Sequence, residues 1–125
     1  MGEPTCEVID MLTIEALNAY GANTRAGIAR CMNDEPFYLG LIEMLINDEK
    51  FEYLDRAIKQ RNLEMGLILA CALAETASSL GLRPLAEQIE KMILCLQLKG
   101  DSAVLDKQLK QIKHWYLKLR DIDIA

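Results

Sequence analysis

Few side chains in this sequence could do covalent chemistry. His114 is its only imidazole. The cysteines, Cys6, Cys31, Cys71 and Cys95, are far apart and form no C-x-x-C pair. Zinc needs Cys and His ligands clustered at short spacing, so no metal site is expected. Four reduced thiols acting as small hydrophobes fit better than a disulfide framework. Glu64 and Glu75 could suggest a carboxylate pair, but on one helix they lie about 16 Å apart along the axis, too far for shared acid–base work. No glycine-rich phosphate loop, Ser-His-Asp set or nucleotide fingerprint is present. The expectation is therefore a protein that is not an enzyme and carries no cofactor.

Cys71 and His114 are the two candidates to weigh. A reactive thiolate needs a helix N-terminus or a nearby cation. Cys71 lies mid-helix with Glu75 one turn on, which favours an inert thiol. His114 points away from the stripe Leu105, Leu109, Ile112 and Tyr116, which reads as a solvated surface position. Trp115 beside it is expected to pack at the edge of a bundle.

The element that positions Cys71 is the stretch Asn62 to Leu82. Asn62 can cap a helix by accepting a first-turn amide. Gly81 can take the left-handed turn that ends it, and Pro84 forbids continuation. Gly66, Leu69, Ala70, Leu73, Ala77 and Leu80 recur at helical spacing as the inner face. The opposite face carries Glu64, Leu67, Ile68, Cys71, Ala74, Glu75 and Ser78. Such a mixture of apolar, small and charged groups is unlike an idle solvated face.

The other elements are also helical. A helix is expected over Met11 to Tyr20, with Leu12, Ala16, Leu17 and Tyr20 in register, stopped by Gly21. Asn23-Thr24 can cap a short helix through Met32, with Ile28, Ala29 and Met32 inward. Asn33-Asp34 and Pro36 then open a helix bearing Phe37, Tyr38, Leu41, Ile42 and Leu45. After a kink or break at Asn47-Asp48-Glu49, Phe51, Leu54 and Ile58 continue the period to Gln60. Pro84 opens a helix with Leu85, Ile89, Met92, Ile93 and Leu96 inward, which Gly100 ends. Asp101-Ser102 caps the last helix, whose stripe runs to Leu119. Its lysines, Lys107, Lys110, Lys113 and Lys118, are read as a solvated face. No strand pattern, repeat or linker interrupts this.

The expected fold is therefore all-α: an antiparallel four-helix bundle of segments 37–60, 62–80, 84–99 and 102–120, in one domain, capped by the shorter N-terminal helices. The 125 residues suit a single core, and 51% hydrophobic content excludes a disordered chain. A net charge of -5 argues against nucleic acid as a partner. No apolar run is long enough to span a bilayer, and MGEPTCEVID lacks the features of a signal peptide, so the expected setting is cytosolic. Met1 to Asp10 reads as a lead-in.

Beyond these physical signals, the central helix resembles that of histidine-phosphotransfer domains, the four-helix phosphoryl carriers of two-component phosphorelays. The family's frame is roughly A-H-x-L-K-G, then small residues, then L-G. Here it reads Ala70-Cys71-Ala72-Leu73-Ala74-Glu75, closing at Leu80-Gly81. The stretches GIARCMNDEPFYLGLIEMLI and GLRPLAEQIEKM, with LKGD after it, extend the resemblance over about Leu12 to Asp121. The departures are chemical. Cys71 stands at the phospho-accepting histidine, Ala74 at the lysine and Glu75 at the glycine.

The resemblance implies a pseudo-phosphotransfer domain: the docking shape is kept and the phosphosite lost. Phosphoryl transfer needs an exposed imidazole and nearby positive charge, whereas Glu75 would repel a phosphoryl group. The implied partner is the receiver domain of a response regulator, or a sensor kinase. The implied docking surface is Leu67, Ile68, Cys71, Ala74, Glu75 and Ser78, with Leu67 and Ile68 as anchors. Those two could equally pack against the adjoining helix. A helical adaptor or dimerisation module outside any phosphorelay, and a carrier using another residue, are the alternatives. A monomer or weak dimer is expected.

Overall fold

The computed structural model describes residues 13–124, and side chains through residue 122. The expected lead-in Met1 to Asp10, together with Met11 and Leu12 of the first expected helix, lies outside the described residues.

Most of the helices start where a short polar side chain accepts an orphan amide. Helix α1 (Ile14–Tyr20) begins at Thr13, whose hydroxyl accepts the Ala16 amide. Helix α2 (Thr24–Arg30) is capped by Asn23 and α3 (Glu35–Ile46) by Asp34, with Pro36 in the first turn of α3. Helix α4 (Lys50–Lys59) follows a break at 47–49, where the Asp48 carboxylate accepts the Lys50 amide. The segment 37–60 is thus two helices. Asn62 caps α5 (Leu63–Ser79), and Gly81 takes φ +74 beyond its end. Helix α6 (Arg83–Gln97), which follows Leu82, instead has Pro84 in its first turn, and Asp101 caps the first turn of α7 (Ser102–Ile124). All of these described elements are helical.

Helix α5 packs between α4 and α6, and α7 packs on α6 and reaches back to α4 and α3. Connections of three or four residues join α4, α5, α6 and α7, and consecutive helices of this set pack on one another. Leu69, Ala70, Leu73 and Ala77 of α5 meet a core that includes Ile58, Ile89, Met92, Leu105 and Ile112. Burying each large aliphatic side chain is worth about 1.5–3 kcal/mol. Gly66 is small for a reason: a Cβ there would lie 2.9 Å from Ile58 Cδ1. Between α4 and α7, Arg61 grips Asp106 with two hydrogen bonds, and Lys113 lies 2.7 Å from Asp55. At the same seam Phe51 stacks on Tyr116, whose hydroxyl donates to the Ile46 carbonyl.

Two inward assignments near the N-terminus are corrected. Helix α2 ends at Arg30, because Met32 and Asn33 both adopt positive φ and reverse the chain. Met32 and Ala29 therefore point outward, and Thr24, Gly27 and Cys31 are buried instead. Phe37 is also exposed, because Tyr38 takes the core side of α3. At the end of α6 the left-handed residue is Lys99, not Gly100. Gly100 has another role, since a Cβ there would collide with the Cys95 side chain.

Candidate functional site

The C-terminal end of α5 is held by the N-terminal helices. The last carbonyls of a helix lack intrahelical donors. Here Arg30 donates from one guanidinium nitrogen to the Ser78 and Ser79 carbonyls, at 3.1 and 2.9 Å. The buried Tyr38 hydroxyl donates to the Leu80 carbonyl at 2.8 Å. The Asn23 amide donates to the Gly81 carbonyl at 2.7 Å. Gly27 lets these pieces meet: a Cβ there would lie 2.6 Å from the Leu80 oxygen and collide with the Tyr38 ring. Burial pushes the Tyr38 phenol up to about 12, with Cys31 adding to the shift.

The anchored helix turns Ile68, Cys71, Glu75 and Ser78 outward together. Ile68 is 62% exposed, a large apolar side chain in water. The other two residues of the expected docking set fall elsewhere. Ala74 is only 7% exposed and belongs to the core, and Leu67 is half-buried against it. The expected six-residue surface therefore shrinks to four, with Ile68 as its one exposed apolar anchor. The correction follows from packing, because Ala74 joins the core cluster and Leu67 packs against it.

The charge on this helix is one-sided. Helix α5 contains Glu64 and Glu75 and no Lys, Arg or His. Among the described residues neither glutamate forms an ion pair. Nothing on α5 itself could offset an anionic phosphoryl group at Cys71. Cys31, Cys71 and Cys95 are free thiols, and Cys6 lies outside the described residues. Among the described residues no group of three His, Cys, Asp or Glu is placed to hold a metal ion.

His114 is exposed on α7, edge-on to Trp115 at 5.3 Å. Trp115 itself is half-buried and meets Tyr20 edge-to-face, while the Tyr20 hydroxyl donates to the Trp115 carbonyl. This contact docks α1 onto α7. The lysines of α7 are less idle than a solvated face. Lys118 sits 4.8 Å over the Trp115 ring, and half-buried Lys113 pairs with Asp55. Burial alone would push the Asp55 carboxyl up, but hydrogen bonds and charge from Lys113 and Lys59 outweigh it and hold the carboxyl below its ordinary 3.8. Lys107 and Lys110 are exposed.

Spacing gave no sign of Arg30, Tyr38, Asn23 and Gly27 as a unit, because their partners are backbone carbonyls more than 40 residues away, which carry no side-chain signature.

What the fold defines is a class, an all-α protein. No narrower assignment follows from likeness: compared with family models, curated proteins and solved structures, the chain finds no match. Among the described residues no helix is long and apolar enough to cross a membrane.

Proposed function

We propose that this chain is a pseudo-phosphotransfer domain of a two-component phosphorelay, one that docks a receiver domain without carrying a phosphoryl group. In this reading α4, α5, α6 and α7 form an antiparallel four-helix bundle, and α5 is its docking helix. The observation that carries the reading is the outward face of α5. An exposed thiol, Cys71, occupies the position where the resembled family places its histidine, with Glu75 one turn on and no cation on the helix. Such a face can bind a partner through Ile68 and cannot hold phosphate by the family mechanism.

The test is a titration against a panel of receiver domains, each followed by incubation with the receiver in its phosphorylated, labelled form. Binding that Ile68→Asp abolishes, with no label passed to this chain, is the expected result. Acid-labile label that disappears in His114→Ala would overturn the reading, as would binding indifferent to Ile68→Asp.

A further inference from the structure

Helix α3 is apolar on both of its faces. Tyr38, Ile42, Leu45 and Ile46 are buried. On the other side Phe37, Gly40, Leu41 and Met44 fall at i, i+3, i+4 and i+7, which is one face of a helix. Phe37 is 54% exposed and Met44 69%, so two large apolar side chains of this face stand in water. The charged residues of α3, Glu35 and Glu43, lie off the stripe. Gly40 sits between the two knobs and is exposed. Glycine is a poor residue in the middle of a helix, and the fold does not ask for it here. Gly27 and Gly66 make room for neighbours, whereas a Cβ on Gly40 would meet nothing within 4 Å. A mid-helix glycine with open space above it, between two exposed knobs, suits the close approach of a second helix from outside.

The same helix also carries a socket. Between α3 and α5 a cleft of about 340 Å³ is lined by Leu41, Met44, Leu45 and Leu80, with Asp48 and Glu75 among its polar groups. Phe37 and Met44 are seven residues apart, about 10 Å along the axis. Crossing α3 antiparallel with its own copy at Gly40 sets each Phe37 beside the other copy's Met44, which lines this cleft. One two-fold axis makes both contacts at once, which is the condition for an isologous pair. An aromatic ring set against an apolar wall is the usual anchor of such a contact. The stripe itself bears no charge with which to select a foreign partner. Its size sets the strength. Helix α3 has 12 residues and is about 18 Å long, and a contact confined to it falls below the roughly 1,200 Å² of a stable complex.

We infer that this protein forms a weak two-fold dimer in which the α3 helices of two copies cross at Gly40 and each Phe37 packs against Leu41 and Met44 of the other copy. The inference stands apart from receiver docking, because it uses α3 and not the Ile68 face of α5.

Sedimentation equilibrium of the full chain, between about 10 µM and 1 mM, is the test. The mass is expected to rise from 14.1 kDa toward twice that value over this range. High salt should tighten the dimer, because it screens the like charges of Glu43 and Glu75 and favours apolar contact. Phe37→Ala should weaken it at least about tenfold. Gly40→Gln should weaken it as much while melting no lower than the parent at low concentration, because glutamine is the better helix former and has open space here. Leu98→Ala, at another exposed apolar position, and Ile68→Asp should each change it less than about twofold. A chain that stays at 14.1 kDa up to the highest concentration would overturn the inference and leave the face to a foreign partner. So would a dimer that Phe37→Ala or Gly40→Gln leaves intact, that Leu98→Ala or Ile68→Asp abolishes, or that salt weakens. Receiver binding abolished by Ile68→Asp in a chain that stays monomeric removes the dimer and keeps the proposed function. A dimer that depends on Phe37, with no receiver bound, does the reverse.

Discussion

Replacing Tyr38 with phenylalanine removes one oxygen atom and isolates another. The Tyr38 ring is fully buried, and its hydroxyl donates to the Leu80 carbonyl. That carbonyl has no backbone alternative. The residue four positions on, which would supply the helical donor, is Pro84, and proline has no N–H. Tyr38→Phe keeps the ring and leaves a buried acceptor unpaired, which costs about 1–3 kcal/mol. For 125 residues, an unfolding entropy of about 2.1 cal/mol/K per residue turns that cost into a fall in Tm of roughly 4–11 °C. Tyr116→Phe is the control. It also loses a hydrogen bond to a carbonyl, that of Ile46, but the hydroxyl is only half-buried and water can replace it. Its cost should stay below about 1 kcal/mol. Thermal unfolding followed by circular dichroism measures both, and urea titrations with unchanged slopes would show that the two unfolding reactions are comparable. The phenol adds a second readout. Its folded value is raised to about 12, so the stability it lends is complete below pH 10 and lost as pH rises toward 12. Tyr38→Phe should remove that part of the alkaline loss. A variant melting within about 2 °C of the parent, or no lower than Tyr116→Phe, would refute the argument that this hydroxyl closes the end of α5.

Gly27→Ala should destabilise, because overpacking against Tyr38 and the Leu80 oxygen costs about 1–3 kcal/mol and outweighs the roughly 1 kcal/mol an alanine gains in an open helix; a higher Tm would contradict the close approach. Asp55 has a depressed carboxyl, so its contribution is present above pH 3.8 and lost as pH falls through the lower folded value. Lys113→Met should flatten that acid limb in a pH series of urea midpoints, and an unchanged limb would show that Lys59 alone holds Asp55. Placing an imidazole and a cation together on the outward face, Cys71→His with Glu75→Lys, should produce a chain that takes acid-labile phosphate from a phosphorylated receiver. A folded but unlabelled double variant would mean that more than these two positions separates this helix from a working carrier.

The helical content was legible because its signals are local. Asn62, Asp34 and Asn23 cap as short polar side chains do, and the stripes of α5, α6 and α7 repeat at helical spacing. What misled was the edge of each stripe. Phe37 and Tyr38 are both aromatic neighbours, and hydropathy alone does not say which of them the core takes. Met32 is apolar yet lies in a turn of two left-handed residues that nothing but geometry reveals. The face around Cys71 was legible in its centre, Ile68, Cys71, Glu75 and Ser78, and blurred at Leu67 and Ala74, because the width of an exposed face depends on how closely neighbours approach. The bond from Tyr38 to Leu80 joins residues 42 positions apart and leaves no periodic trace.

The fastening of the end of α5 by Arg30, Tyr38 and Asn23 also makes the segment from Asn23 to Tyr38 a participant in whatever settles on that helix. A guest that stiffens the last turn of α5 must slow amide hydrogen exchange in α2 as well, at sites it never touches. By the same thermodynamic symmetry, loosening Arg30 or Asn23 would weaken the guest's grip, so α2 acts as a tuning peg for a surface it does not form.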